Sequence, residues 1–290
     1  SRLPVMQEQR GKLDAALQVA EREVQALNAT EVLTGLRSVS QDWASLHPRV
    51  HQGVAPPAEG SRRHTDLVMR SLQLLDEVVA VSGLALDADA ESYFLIQALL
   101  RDQPRLTEPL GLARARGAAM LIRGDLSVGS RQSLQSLVQL ALLHADDAQG
   151  NLRRAERARQ DRLPDEALRQ AQAKADEALK RGLALVGRLI KEDDLSGLGS
   201  TDYFAAMTEV IGAQFALSDV ALDHLERLLT HRESQLRAQL IVMVAVLVGA
   251  VLLGGWVAVM IIRSTSSAVG KGMNLARSLA QGDLSVQVSG

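Results

Sequence analysis

Between Arg237 and Arg263 the chain runs through 25 residues, Ala238 to Ile262, without a charged side chain. A helix over Leu240–Ile262 would measure roughly 35 Å at ~1.5 Å per residue, enough to cross a hydrocarbon core about 30 Å thick. Within it Ala245 and Gly249, then Ala250, Gly254 and Ala258, stand four apart. Small residues at that spacing let a second membrane helix approach closely, although glycine and alanine are also simply common in membrane helices. Trp256, near one end, fits an interfacial anchor. The competing reading is a deeply buried helix of a water-soluble protein, and the length of the run argues against it.

Composition narrows what surrounds this span. Apolar residues make up 47% of the chain but aromatic residues only 2%, so alanine and leucine supply most of the apolar material. Those residues favour helices, whereas strands draw on β-branched and aromatic side chains. The expected fold is all-α. A net charge of -2 with pI near 6.3 gives no electrostatic case for nucleic acid. Two Trp, two Tyr and three Phe are too few to build a base-stacking platform. With no cysteine, disulfides, thiolate metal sites and cysteine nucleophiles are excluded. The HExxH, phosphate-loop, GxSxG and dinucleotide signatures are absent too, so no catalytic residue, cofactor or enzyme activity is expected.

Ahead of the span the pattern is that of a helical bundle. Leu13, Leu17, Ala20, Val24 and Leu27 paint one apolar stripe on a first helix read from Val5 to Leu46. His47–Ser61, with Pro48, Pro56, Pro57, Gly53 and Gly60, reads as a loop. A second helix covers Arg62–Ser82. A third is capped by Asp87 or Asp89 with Glu91 in its first turn. Pro104 and Pro109 interrupt or kink the third, and Thr107 offers a cap for its continuation. Breaks follow at Gly124–Ser130, Asp161–Asp165 and Asp193–Thr201. On the last helix Phe204, Met207, Ile211, Phe215, Ser218, Leu222, Leu225 and Leu229 step by three or four. No proline lies between Thr201 and Leu240, so this helix should enter the membrane unbroken. About six antiparallel helices, arranged as two stacked four-helix bundles sharing the longest members, are expected. The divisions are 1–238 for the bundle, 239–262 for the span and 263–290 for a short C-terminal segment.

Positive charge does not orient the span. Arg227, Arg232 and Arg237 on one side balance Arg263, Lys271 and Arg277 on the other. The C-terminal segment does. Arg263–Val269, Met273, Ala276, Leu279 and Ala280, then Gly282, Asp283, Leu284 and Ser285, resemble the first helix of a HAMP linker, without the proline usual near Ala268. That resemblance places Arg263 onward in the cytoplasm, the bundle in the periplasm of a bacterial inner membrane, and the chain in a homodimer. With the chain opening at Ser1, an earlier membrane anchor is expected to its left.

A second stretch, Leu86-Asp87-Ala88-Asp89-Ala90-Glu91-Ser92-Tyr93-Phe94-Leu95 through Pro104, Leu106, Leu110-Gly111 and Arg116-Gly117, is similar to helical periplasmic domains of proteobacterial chemoreceptors and sensor kinases. Ala88 and Gln103 stand where proline and leucine are usual in that family. Together the resemblances imply the input region of a methyl-accepting chemotaxis receptor. The alternatives are the input of a sensor histidine kinase or diguanylate cyclase, and a membrane-anchored scaffold without ligand.

Arginines mark the candidate site. Arg101, Arg105, Arg114, Arg116 and Arg123 cluster around the proline-broken helix, with Tyr93 near in sequence. Guanidinium groups inside a bundle would hold a carboxylate or nitrate-like anion through forked hydrogen bonds. Tyr93, Arg101, Arg105 and Arg116 are the candidates to bind such a small ligand, with a periplasmic binding protein as the alternative partner. The competing reading is a solvated arginine face paired to Asp102 or Glu108. The run Asp87, Asp89, Glu91 lacks the spacing of an EF-hand and reads as capping. His47 and His51 lack a completing ligand, so no metal site is expected. Asp165/Arg169, Asp176/Lys180 and Glu177/Arg181 read as ion pairs on an exposed helix face.

Overall fold

The computed structural model describes residues 3–51, 57–159, 165–193 and 197–280, and among these there are helices and no strands. The order is α1 (Leu3–Ala26), α2 (Thr30–His51), α3 (Pro57–Val81), a single 3-10 turn (Leu84–Leu86), α4 (Ala90–Ile96), a π-helical segment (Gln97–Asp102), α5 (Gln103–Arg123), α6 (Val128–Ala158), α7 (Glu166–Lys191) and α8 (Ser200–Ala280). The all-α expectation holds. The chain divides into two compact units, Ser1–Leu228 and Leu229–Gly290.

The single first helix of the sequence reading is two helices. Asn28 sits at φ 55°, a left-handed conformation that asparagine tolerates and a helix interior does not. The chain reverses there, so α1 and α2 pack together through Val24, Val32 and Leu36, with Leu17, Ala20 and Leu74 against them. Leu13 and Leu27, placed on the apolar stripe, are exposed. The loop read at His47–Ser61 is shorter than expected, because α2 reaches His51 and α3 starts at Pro57.

Two apolar groupings among the described residues matter for placing the site. One lies among α1, α2 and α3, extended by Val39, Leu46 and Leu67. The other joins α5, α6, α7 and the start of α8 through residues such as Leu106, Leu110, Leu134, Val186, Leu189, Tyr203 and Met207. Among the described residues these cores define a three-helix module, α1 to α3, and a four-helix module, α5 to the start of α8. The buried face of α6, Leu134, Leu137, Ala141, Ala145, Ala148, Leu152 and Ala155, is alanine-rich, and its first four residues belong to this core. Short side chains there let α4 and α5 approach closely.

The buried face of α8 also differs from the sequence reading. It is Tyr203, Met207, Val210, Gln214, Leu217, Ala221 and Leu225. Phe215 and Leu222, read as core, are 54% and 40% exposed. Two polar side chains decide the rotation. Tyr203 donates its hydroxyl to the Ala113 carbonyl at 2.9 Å, and Gln214 donates to the Ala175 carbonyl at 2.9 Å. Burial raises the Tyr203 phenol above its ordinary value.

In the second unit Leu240–Ile262 is helical and exposed, and none of its most apolar stretch is buried by protein. It is long and apolar enough to cross a membrane. Ala245, Gly249, Ala250, Gly254 and Ala258 all lie on it, with open space around Gly249 and Gly254. Arg263 is exposed on the same helix, while Gly282, Asp283 and Leu284 lie outside the described residues.

Candidate functional site

The route to the site starts at Pro104. A proline in a helix interior has no amide to give the carbonyl four residues back, and its ring collides with that carbonyl. The helix answers by widening over Gln97–Asp102, where the Gln103 amide reaches back five residues to Ala98. Such π-turns recur at functional sites because they re-aim the side chains around them. The helix then continues as α5 with Pro109 inside it. Thr107 does not cap it, since its hydroxyl donates to the Pro104 carbonyl at 2.9 Å. At the other end Asp89 is the N-cap of α4, accepting from the Ser92 amide at 3.1 Å.

A cavity of about 570 Å³ opens against this widened turn. Its lining comes from Asp76 and Val79 on α3, Ile96, Gln97, Leu100, Arg101 and Asp102 on α4 and the π-turn, Arg105 on α5, and His144, Asp147 and Asn151 on α6. Arg105 donates Nη2 to Asp76 at 2.5 Å and Nη1 to the Arg101 carbonyl at 2.8 Å. Arg101 is exposed and reaches Gln97 at 3.5 Å. Asp102 is 5% exposed and accepts from Asn151 at 2.7 Å. Burial raises its carboxyl above the ordinary range, with Asn151 pulling the other way. Burial lowers His144, and the positive charge of Arg105 adds to that effect. The result is a polar chamber with two guanidinium groups, an imidazole and three aspartates. Forked guanidinium donors suit a small planar oxyanion.

Of the four residues read as ligand-binding, Arg101 and Arg105 therefore meet at one cavity. Arg116 is exposed elsewhere on α5 and donates to Ser133. Tyr93 is half-buried on α4, edge-on to Phe94 at 5.3 Å between centroids. Arg114 bonds Thr208 at 3.0 Å and covers the Phe204 ring, and Arg123 bonds its own helix. Asp76, His144 and Asn151 were not singled out from sequence. The three sit on other helices, and no local spacing joins them to the arginines.

A second polar cluster also escaped the sequence reading. Glu91, read as a first-turn acid, is 2% exposed and accepts from Arg159 at 2.8 Å. His224 stands 3.0 Å from Glu91 through Nε2 and 2.8 Å from Asp165 through Nδ1. Four helices meet in this network: α4 through Glu91, α6 through its C-cap Arg159, α7 through its N-cap Asp165, and α8 through His224. Asp165 thus serves as cap and ion partner rather than pairing with Arg169, which bonds Glu166 instead. Asp176 accepts from Gln149 at 2.7 Å, and the Lys180 charge acts on it as well. The Glu177/Arg181 pair forms as expected at 2.9 Å. Among the described residues no acidic or histidine cluster could hold a metal ion.

No curated protein and no solved structure matches this chain significantly. The family model for nitrate and nitrite sensing, NIT, matches residues 2–226, most of the chain ahead of the apolar span. On that match the chain belongs to the NIT family of nitrate- and nitrite-sensing domains.

Proposed function

We propose that this chain is the input region of a transmembrane receptor that detects nitrate or nitrite at the cavity beside the π-turn. The observation that carries the reading is the pair Arg101 and Arg105 lining one chamber in a chain of the nitrate- and nitrite-sensing family. Nitrate is planar, singly charged and weakly hydrated, and a guanidinium presents paired donors that match two of its oxygens. The chain itself binds the anion, with no periplasmic binding protein as intermediary, and it performs no catalysis.

In this reading the bundle lies in the periplasm of a bacterial inner membrane and Leu240–Ile262 crosses the lipid. The segment from Arg263 begins a HAMP linker in a homodimeric chemoreceptor. The element that supports transmission is α8, one helix from Ser200 to Ala280. It carries core residues of the bundle at one end and the apolar span further on. A ligand that favours one position of α8 against its neighbours would bias that position for the cytoplasmic side as well.

Titration calorimetry of the full chain in detergent with sodium nitrate, sodium nitrite and sodium chloride tests the assignment. Nitrate or nitrite should bind and chloride should not. Arg101→Ala and Arg105→Ala should each weaken binding about tenfold or more, while Arg116→Ala leaves it intact. Binding that survives both cavity substitutions, or no binding at all, refutes the site. Cysteine labelling at Gln18 and Lys271 tests the topology, which requires the two in opposite compartments.

A further inference from the structure

We infer that Asp76 is a built-in competitor for the anion, so that ligand binding breaks the tie between α3 and α5. The inference deepens the cavity assignment above and rests on it. Both terminal nitrogens of Arg105 are already engaged, Nη1 with the Arg101 carbonyl and Nη2 with the Asp76 carboxylate. The carbonyl belongs to the helix that carries Arg105 and stays in place. The carboxylate comes from a different helix, with 47% of its side chain exposed, and can leave for water at little cost.

Charge favours its departure. Arg101 and Arg105 bring two positive charges to the chamber, and Asp76, Asp102 and Asp147 bring three carboxyl groups. An arriving anion that joined Asp76 on Arg105 would place two like charges on one guanidinium inside a site already short of cations. Exchange avoids this: the ligand takes the Arg105 donors, and Asp76 turns to solvent.

The consequence is mechanical. Asp76 belongs to α3 in the three-helix module, whereas Arg105 belongs to α5, whose other face packs in the four-helix core. The Arg105–Asp76 bridge is a charged link between those two modules. An anion that displaces it loosens α3 against the π-turn, so occupancy of the chamber reports as a change at the module boundary.

Calorimetry with sodium nitrate on the full chain in detergent, wild type against Asp76→Asn and Asp76→Ser, provides the test. The serine variant guards against an asparagine oxygen still holding Arg105. Removing the competitor should tighten nitrate binding about 1.5- to fivefold, the range expected for losing a partly exposed ion pair. Hydrogen exchange over Leu67–Val81 should rise on nitrate addition to wild type, and should already be high in the ligand-free variants. If both variants bind nitrate no more tightly than wild type, Asp76 is not a competitor, and the cavity assignment stands. If exchange in α3 is unchanged or falls on binding, the release of α3 is refuted. If wild type and both variants all fail to bind nitrate, the cavity assignment fails and this inference falls with it.

Discussion

Two glycines on α5 should respond with opposite sign to the same substitution. Gly111 has open space where a Cβ would go, whereas a Cβ on Gly117 would overlap the Tyr203 hydroxyl and ring edge. In a helix interior alanine is favoured over glycine by about 1 kcal/mol, so Gly111→Ala should stabilise by up to that amount. At Gly117 the same gain opposes two losses. The Tyr203 ring is fully buried and anchored to the Ala113 carbonyl at 2.9 Å, so it has no free rotation to yield. Overpacking a filled core costs about 1–3 kcal/mol and losing the hydrogen bond about 1 kcal/mol. The net for Gly117→Ala is then a destabilisation of about 1–3 kcal/mol. In a domain of this size that lowers the melting temperature by about 2–12 °C, while Gly111→Ala raises it by at most about 2–4 °C. Thermal unfolding of the full chain followed by circular dichroism reads both shifts. Adding Tyr203→Phe to Gly117→Ala should recover part of the loss, since the two positions touch and their effects should not add. A Gly117→Ala protein as stable as wild type would refute the claim that this contact sets how α5 meets α8.

Buried charge and the apolar span give three further expected outcomes. Arg159→Met removes the guanidinium from Glu91, which is 2% exposed; it should cost about 3 kcal/mol or more in urea unfolding, whereas Arg181→Ala on the surface should cost under about 0.5 kcal/mol. Burial raises the Asp102 pKa, so the folded state binds its proton more tightly than the unfolded one, and the stability this group contributes is lost as pH rises from the ordinary carboxylate range through the elevated value. Asp102→Asn should therefore be the more stable protein at neutral pH and lose that advantage on acidification, as melting temperatures across a pH series would display. Leu247→Arg should disfavour membrane insertion by about 2.5–3.5 kcal/mol, measured as the inserted fraction in a translocation assay, with no change in the melting of the first unit.

Much of the fold could be read from local pattern. The span needed only its uncharged length. Helix starts at Asp89, Ser127 and Asp165 and the left-handed Gly124 cap lie where short polar residues and glycine belong in a helix boundary. What misled the reading was polar chemistry inside the core. On α8 the larger apolar residues Phe215 and Leu222 looked like core, but Tyr203 and Gln214 are buried in their place because Ala113 and Ala175 offer carbonyls. A hydrogen bond to a distant backbone leaves no trace in periodicity. Asn28 failed for a related reason: one left-handed residue reverses the chain, and no proline or glycine announces it.

The candidate site was legible only in its arginines. Pro104 marks a disturbed helix, and Arg101 and Arg105 flank it at a spacing that puts both near one face. Asp76, 29 residues before Arg105, and His144 and Asn151 on α6 reach the cavity only after α3, α5 and α6 pack. The Glu91, Arg159, His224 and Asp165 network spans 133 residues of sequence between Glu91 and His224.

Sequence by itself determined the helical class, the membrane-length helix and the arginine-rich broken helix, because each is written in composition or in neighbours a few positions apart. Tertiary structure alone decided which arginines share a chamber, which face of α8 turns inward and which carboxylates neutralise which cations. Those outcomes depend on distances between side chains brought together by packing, where a rotation of one residue exchanges a buried partner for water.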